Sequence, residues 1–178
     1  MQEAYSRQIF KDGATIFSQG DRAGEAYLIQ KGNVRLQVNE KSQTREIDTV
    51  GPGKIFGEMG VISDMNRMAT ATAVGDVEVI NCQRLELQRR IDELSEDRRD
   101  ALRFLIVYCQ DLLPFELMGA RPDDEEMANR DKIAFYLIKD ANTSSALNGL
   151  DPFLSGLYKV LIGYAERRLP PDFEPALG

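Results

Sequence analysis

Histidine is absent from the 178 residues, and cysteine occurs only as Cys82 and Cys109. Without histidine the chain lacks the commonest general base near neutral pH and the commonest metal ligand. A metal-dependent barrel enzyme of the cupin type is therefore not expected. The sequence also has no Gly-x-Ser-x-Gly elbow, Walker loop or Cys-x-x-Cys pair, so neither an enzyme nor a cofactor is expected. The two cysteines stand 27 positions apart without a partner motif and are expected as reduced, half-buried thiols. No stretch reaches the roughly 18 uninterrupted apolar residues of a membrane span, and the opening MQEAYSRQIF does not have the pattern of a signal peptide. The expectation is a cytoplasmic protein with no membrane partner. Positive charge is scarce too: 22 Lys+Arg against 29 Asp+Glu leave −7, with a pI near 4.8. The longest basic runs are the pairs Arg89-Arg90, Arg98-Arg99 and Arg167-Arg168, each interrupted by acids. A nucleic-acid surface normally shows a basic face, so none is expected.

What is present suits a folded globule, with 43% hydrophobic and 29% charged residues. The length allows one sizeable domain, or a domain of about 110 residues with a smaller appendage. From Arg7 to about Val79 short strands alternate with glycine turns, the pattern of a β-sandwich or barrel. Gln8-Ile9-Phe10 leads to a turn at Lys11-Asp12-Gly13, and Ala14-Thr15-Ile16-Phe17 to another at Gln19-Gly20-Asp21. Residues 26–30 form an apolar strand expected to end at Lys31-Gly32-Asn33, and residues 34–38 alternate so that one face is buried. A polar tip at 39–44 and a return strand at 45–50 follow, then Gly51-Pro52-Gly53. A last turn is expected at Gly75-Asp76, before Val77 to Ile80.

The chain is organised around residues 56–73, FGEMGVISDMNRMATATA. A short helical turn beginning near Gly57 would present unpaired backbone N–H groups to an anion. Arg67, nine positions after Glu58, would grip a phosphate with two parallel hydrogen bonds. Glu58 cannot serve the same phosphate, because like charges repel. It needs a hydroxyl donor, which a sugar on the same ligand would supply, or Arg67 itself.

This stretch resembles the phosphate-binding cassette of the cyclic nucleotide-binding domain family, whose pattern F-G-E-[LM]-[AG]-[LI], a variable run and R-x-A-[TS] stands here as FGEMGV, ISDMN and RMAT. The spacing of Gly13, Ile16, Gly20, Tyr27, Ile29, Gly32 and Val34 resembles the family's first four strands, so the similarity extends over about residues 7–94. The resemblance implies a β-jelly roll (a double-stranded β-helix) with flanking helices, mainly β plus α. It also implies that Gly57 offers its backbone N–H, that Glu58 binds the ribose 2′-hydroxyl and that Arg67 binds the cyclic phosphate. Met59, Met68, Ala69 and Thr70 complete the expected ligand-binding set. The residue after the arginine often carries a hydroxyl, and Met68 can offer only its backbone N–H. Threonine stands there in many cyclic-GMP-selective members, so Met68 favours cyclic AMP slightly over cyclic GMP.

Beyond Ile80 the apolar period changes from two to about 3.6. Leu85, Leu87, Ile91 and Leu94 mark one helix. A second, over residues 95–113, opens at Ser95 as N-cap with Glu96 and Asp97 in the first turn and stops at Pro114. In the family the corresponding helix closes over the base, which makes Tyr108 and Phe115 candidates for stacking. A third helix is expected from Pro122 to about Asp140, with Met127, Ile133, Ala134, Leu137 and Ile138 on one face, and a fourth from Asp151-Pro152 to Leu169. Seven bases against eleven acids give residues 115–178 a charge of −4, which does not suit the helix-turn-helix of the family's transcription factors.

The organisation expected is a cyclic nucleotide-binding β-roll at 1–94, a hinge or capping helix at 95–114 and an all-α C-terminal extension at 115–178. The function expected is that of a sensor whose C-terminal helices move on binding and engage a protein partner or a second copy. The alternatives are a ligand-independent scaffold or dimerisation module of the same fold and, against the charge, a DNA-binding regulator.

Overall fold

The computed structural model describes residues 5–40, 43–118, 125–143 and 147–175. They fall into two compact units that divide between Arg90 and Ile91.

The first unit is the β-roll. Strands β1 (Ser6–Phe10), β2 (Thr15–Phe17), β3 (Glu25–Glu40), β4 (Gln43–Val50), β5 (Ile55–Phe56) and β6 (Thr70–Gln83) form one sheet. Its order is β1-β6-β3-β4, with β2 on β6 and β5 on β3, every pair antiparallel. Helix α1 (Glu58–Ile62) interrupts it, and α2 (Arg84–Asp92) follows β6 directly. The core consists of Tyr27, Ile29, Val34, Phe56, Ala71, Ala73, Val77 and Val79, with Phe10, Ile16, Phe17, Leu36 and Val50 packed against it.

Two expected turns are bends inside long strands. The pairing passes from Lys31↔Glu78 to Asn33↔Val74, so three residues of β6 face one residue of β3. That residue is Gly32, at φ 82, where a Cβ would run into the Asp76 carbonyl oxygen and Val77 Cα. The glycine lets two backbones approach closely, as glycine within a strand commonly does. The sheet therefore coils across the bulge where the sequence signals a strand end.

The alternation in 34–38 buries Val34 alone; the residues after it are half-buried, and β4 is mostly exposed. Among the described residues β4 is an edge strand paired only with β3, and Arg45, Glu46 and Asp48 along it discourage edge-to-edge association. In α2, Leu87 is buried while Leu85 is 84% exposed, contrary to the expected apolar face.

The second unit holds α3 (Glu96–Met118), α4 (Glu125–Thr143) and α5 (Pro152–Arg168). The Arg99 N–H donates to the Ser95 carbonyl at 2.9 Å, which starts α3 at the expected residue. Its backbone continues four residues past Pro114 to Met118. Proline removes a single N–H from a helical ladder and disfavours the turn before it, and a 23-residue helix retains the rest. Residues 119–124, on which the expected Pro122 start falls, lie outside the described residues. On α4, Met127, Ala134 and Ile138 are buried as expected, but Ile133 is 48% exposed. The Asp151 side chain caps α5 by accepting from the N–H groups of Phe153 at 2.9 Å and Leu154 at 3.1 Å, with Pro152 in the first turn. Among the described residues no helix is long and apolar enough to cross a membrane.

Candidate functional site

Between β5 and β6 the chain reverses twice in a few residues, and glycine makes this possible. Gly57 has φ 74 and stands as the N-cap of α1, which puts Glu58 in the first turn. Gly60 lies where a Cβ would meet Ala23 Cβ at 2.5 Å, so α1 rests directly on the loop before β3. Ser63 closes α1 by donating its N–H to the Met59 carbonyl at 3.0 Å. The chain then returns to β6 through Arg67, whose backbone is held on both sides. Arg67 N–H donates to the Asp21 carbonyl at 2.8 Å, and its own carbonyl accepts from Gly20 N–H at 2.8 Å.

The Arg67 side chain turns inward and is 5% exposed. Nη1 donates to the Gly57 carbonyl at 2.7 Å and Nη2 to the Glu25 carbonyl at 2.6 Å. The guanidinium carbon sits 4.0 Å from the Phe17 ring centroid and 5.7 Å from that of Tyr27. Phe17, Tyr27 and Phe56 stack on one another with centroids 5.1–6.0 Å apart. Removing a cation from water costs several kcal/mol. Charge-assisted hydrogen bonds return roughly 1.5–3 kcal/mol each, and a desolvated cation–π contact about 2 kcal/mol. The sum explains how a buried arginine is held in place without a large surplus. The buried Nε–H has no acceptor among the described residues.

Burial lowers the Arg67 pKa, against the opposing fields of Tyr27, Glu25, Glu58 and Asp21. Burial is also the main reason that the Tyr27 hydroxyl holds its proton well above the usual range, with help from the hydrogen bond to Glu25. The site is thus a buried cation ringed by acids and a neutral phenol.

The structure brings Gly57 and Arg67 together, ten positions apart in sequence. Glu58 is 2% exposed and close enough for its charge to act on Arg67. Ala69 is 8% exposed, Met59 half-buried, and the Met68 side chain 39% exposed. Thr70 Oγ1 accepts from the Gln19 N–H at 3.0 Å, which ties the start of β6 to the loop after β2.

Four partners of the site carry no sequence signal of their own. Phe17 and Tyr27 read only as strand residues, yet they form the floor under the guanidinium. Glu25 supplies a carbonyl. Arg84 Nη2 donates to the carbonyls of Ala23 at 3.1 Å and Gly60 at 3.3 Å, while Nη1 pairs with Asp64. Arg84 thereby fastens α1 to the loop before β3 from the far end of β6. Of the two candidates for stacking on a base, Tyr108 is 1% exposed, packs on Phe104 with centroids 5.9 Å apart and donates its hydroxyl to Asp131 Oδ1 at 2.7 Å. Its ring belongs to the core of the helical unit. The Phe115 side chain lies outside the described residues.

A glycine-led turn, a buried acid and an inward arginine stand together on a coiled antiparallel roll, within the stretch that resembles the cassette. Residues 7–93 match the family described as cyclic nucleotide-binding domain, and this part of the chain belongs to that family. The chain is 37% identical over 142 residues to the cyclic AMP receptor protein of Thermus thermophilus, which covers 76% of this chain and 61% of that protein. It is 37% identical over 91 residues to a cAMP-dependent protein kinase regulatory subunit of Debaryomyces hansenii, covering 50% of this chain and 19% of the other. Among solved structures it is similar to the half-site-occupied form of EAL enzyme Bd1971, with a TM-score of 0.55, 28% identity, 58% of this chain covered and 93% of that one. The chain spans less than two thirds of the length of either curated relative.

Proposed function

We propose that this protein is a regulatory cyclic-nucleotide sensor without catalytic activity of its own, and that cyclic AMP is bound somewhat better than cyclic GMP. The observation that carries the reading is the buried Nε–H of Arg67 without an acceptor. An unsatisfied buried donor costs about 1–3 kcal/mol, and the oxygens of a cyclic phosphate would satisfy it as well as the second hydrogens of Nη1 and Nη2. Gly57, and Met68 through its main chain, would add N–H donors, and Glu58 would accept from the ribose 2′-hydroxyl. The neighbouring Met59, Ala69 and Thr70 complete the contact set. The names of the two curated relatives, a cyclic AMP receptor and a cAMP-dependent kinase regulator, support the choice of cyclic AMP.

A ligand can shift only a balance of conformations between which it discriminates. The residues proposed to respond are the hinge at 95–114 and the helical module at 115–178, acting on a protein partner or a second copy of the chain in the cytoplasm. The net charge of −4 over 115–178 supports a protein partner over nucleic acid.

Thermal unfolding with and without cyclic AMP and cyclic GMP, beside an Arg67→Glu variant, tests the reading. Ligand at a hundred times its dissociation constant adds about 2.7 kcal/mol, a rise in Tm of roughly 5–10 °C. The rise should be larger with cyclic AMP and absent in the variant. No rise with either nucleotide at millimolar concentration overturns the sensor reading in favour of the scaffold of the same fold, and salt-dependent retention on DNA would overturn it in favour of a transcription regulator.

A further inference from the structure

Glu25 touches the site in two ways. Its carbonyl accepts from Arg67 Nη2 at 2.6 Å. Its carboxylate accepts from the Tyr27 hydroxyl at 2.7 Å and from Asn81 Nδ2, while Asn81 Oδ1 accepts from Ser6 Oγ. The register explains the cluster: Tyr27 stands opposite Asn81 in the sheet and Ser6 opposite Asn81 on its other side. Tyr27 and Asn81 are 4% and 6% exposed, so both donors are fixed by packing. The carboxylate is thus held by two fixed donors in a residue whose own carbonyl binds the guanidinium, and its field opposes the lowering of the Arg67 pKa by burial.

We propose that Glu25 is a positioning residue that acts as an internal competitor for Arg67 and so sets the affinity for an anionic ligand. In the empty site its charge offsets the burial of the guanidinium. When a phosphate arrives, the same charge opposes it, because two anions then draw on one cation in a low-dielectric setting. Glu25 therefore trades ligand affinity for stability of the empty domain. The proposal rests on the cyclic-nucleotide reading for its ligand, but the pairing of Glu25 with Arg67 is testable without any ligand.

The decisive variant is Glu25→Gln, which keeps the shape and can still accept from Asn81, but carries no charge. Calorimetric titration of the purified full chain with cyclic AMP should show roughly fivefold or more tighter binding, while the ligand-free Tm falls by about 2–4 °C. A purely structural residue would lose both affinity and stability, so unchanged or weaker binding overturns the proposal. The second measurement is a double-mutant cycle on the ligand-free Tm. Glu25→Gln should cost much less in an Arg67→Met background than in the native chain, and an equal cost in both backgrounds overturns the pairing. If the native chain binds no cyclic nucleotide, the sensor reading falls and the competition falls with it, whereas the cycle still decides whether Glu25 holds Arg67.

Discussion

The Gly57 carbonyl oxygen receives Arg67 Nη1 at 2.7 Å, and a Cβ built on Gly57 would lie 2.7 Å from that same nitrogen. The guanidinium that this glycine holds is what denies it a side chain. Gly57 is therefore required twice over, once for its φ of 74 and once for space.

Gly57→Ala should consequently cost more than a positive φ alone. Forcing alanine into that region costs about 1–2 kcal/mol, and displacing Arg67 adds a second loss. Gly53→Ala is the control, because Gly53 has φ 79 with nothing within 4 Å of its Cβ position. Chemical denaturation should show Gly57→Ala as the less stable of the two, and of the pair only it should lose cyclic AMP binding. Equal stability losses would mean that the space around Gly57 is not limiting.

At Gly60 two effects oppose each other. Alanine would gain about 1 kcal/mol of helix propensity in α1, but its Cβ would meet Ala23 Cβ at 2.5 Å, and overpacking of this kind costs about 1–3 kcal/mol. The clash should win, so Gly60→Ala is expected to lower Tm and the pair Gly60→Ala, Ala23→Gly to recover most of the loss.

Met68→Thr probes nucleotide preference. The Met68 side chain is 39% exposed, so the fold should tolerate the change within about 0.5 kcal/mol. A hydroxyl at this position should raise the affinity for cyclic GMP relative to cyclic AMP several-fold, measured by competition titration. An unchanged ratio would locate selectivity elsewhere.

In α2, Glu86 accepts from Arg89 Nε at 3.0 Å and Nη2 at 2.8 Å, and from Arg90 Nε at 2.7 Å. These bonds, chiefly those from Arg89, hold its carboxyl at about 2 against an ordinary value of 4.5. The folded value is the lower one, so the stabilisation is present in full above about pH 4.5 and is lost as pH falls through 2. The group is partly exposed and screened by solvent, so it contributes only about 1 kcal/mol. Urea unfolding should therefore show native chain and Glu86→Gln about 1 kcal/mol apart at pH 7 and converging between pH 4.5 and 2. A constant difference across that window would assign the effect to packing instead.

The sequence by itself pointed to Gly57, Glu58 and Arg67, through the resemblance of residues 56–73 to the family's cassette pattern, which a short local stretch can carry. It determined the strand-rich first half and the helical second half as well, since periods of 2 and 3.6 are local properties. Asp151-Pro152 announced its helix for the same reason.

The tertiary structure alone decided what surrounds Arg67. Phe17, Glu25 and Tyr27 lie 40 to 50 positions from it, and they meet because β2 and β3 both pair with β6. It also decided that Gly32 and Gly75 mark a bulge in two long strands. A glycine's freedom reads the same in a turn and in a bulge, and only the partner strand distinguishes them. Pro114 is the helical counterpart: the local cost of proline is fixed, but whether it ends a helix depends on the turns on either side.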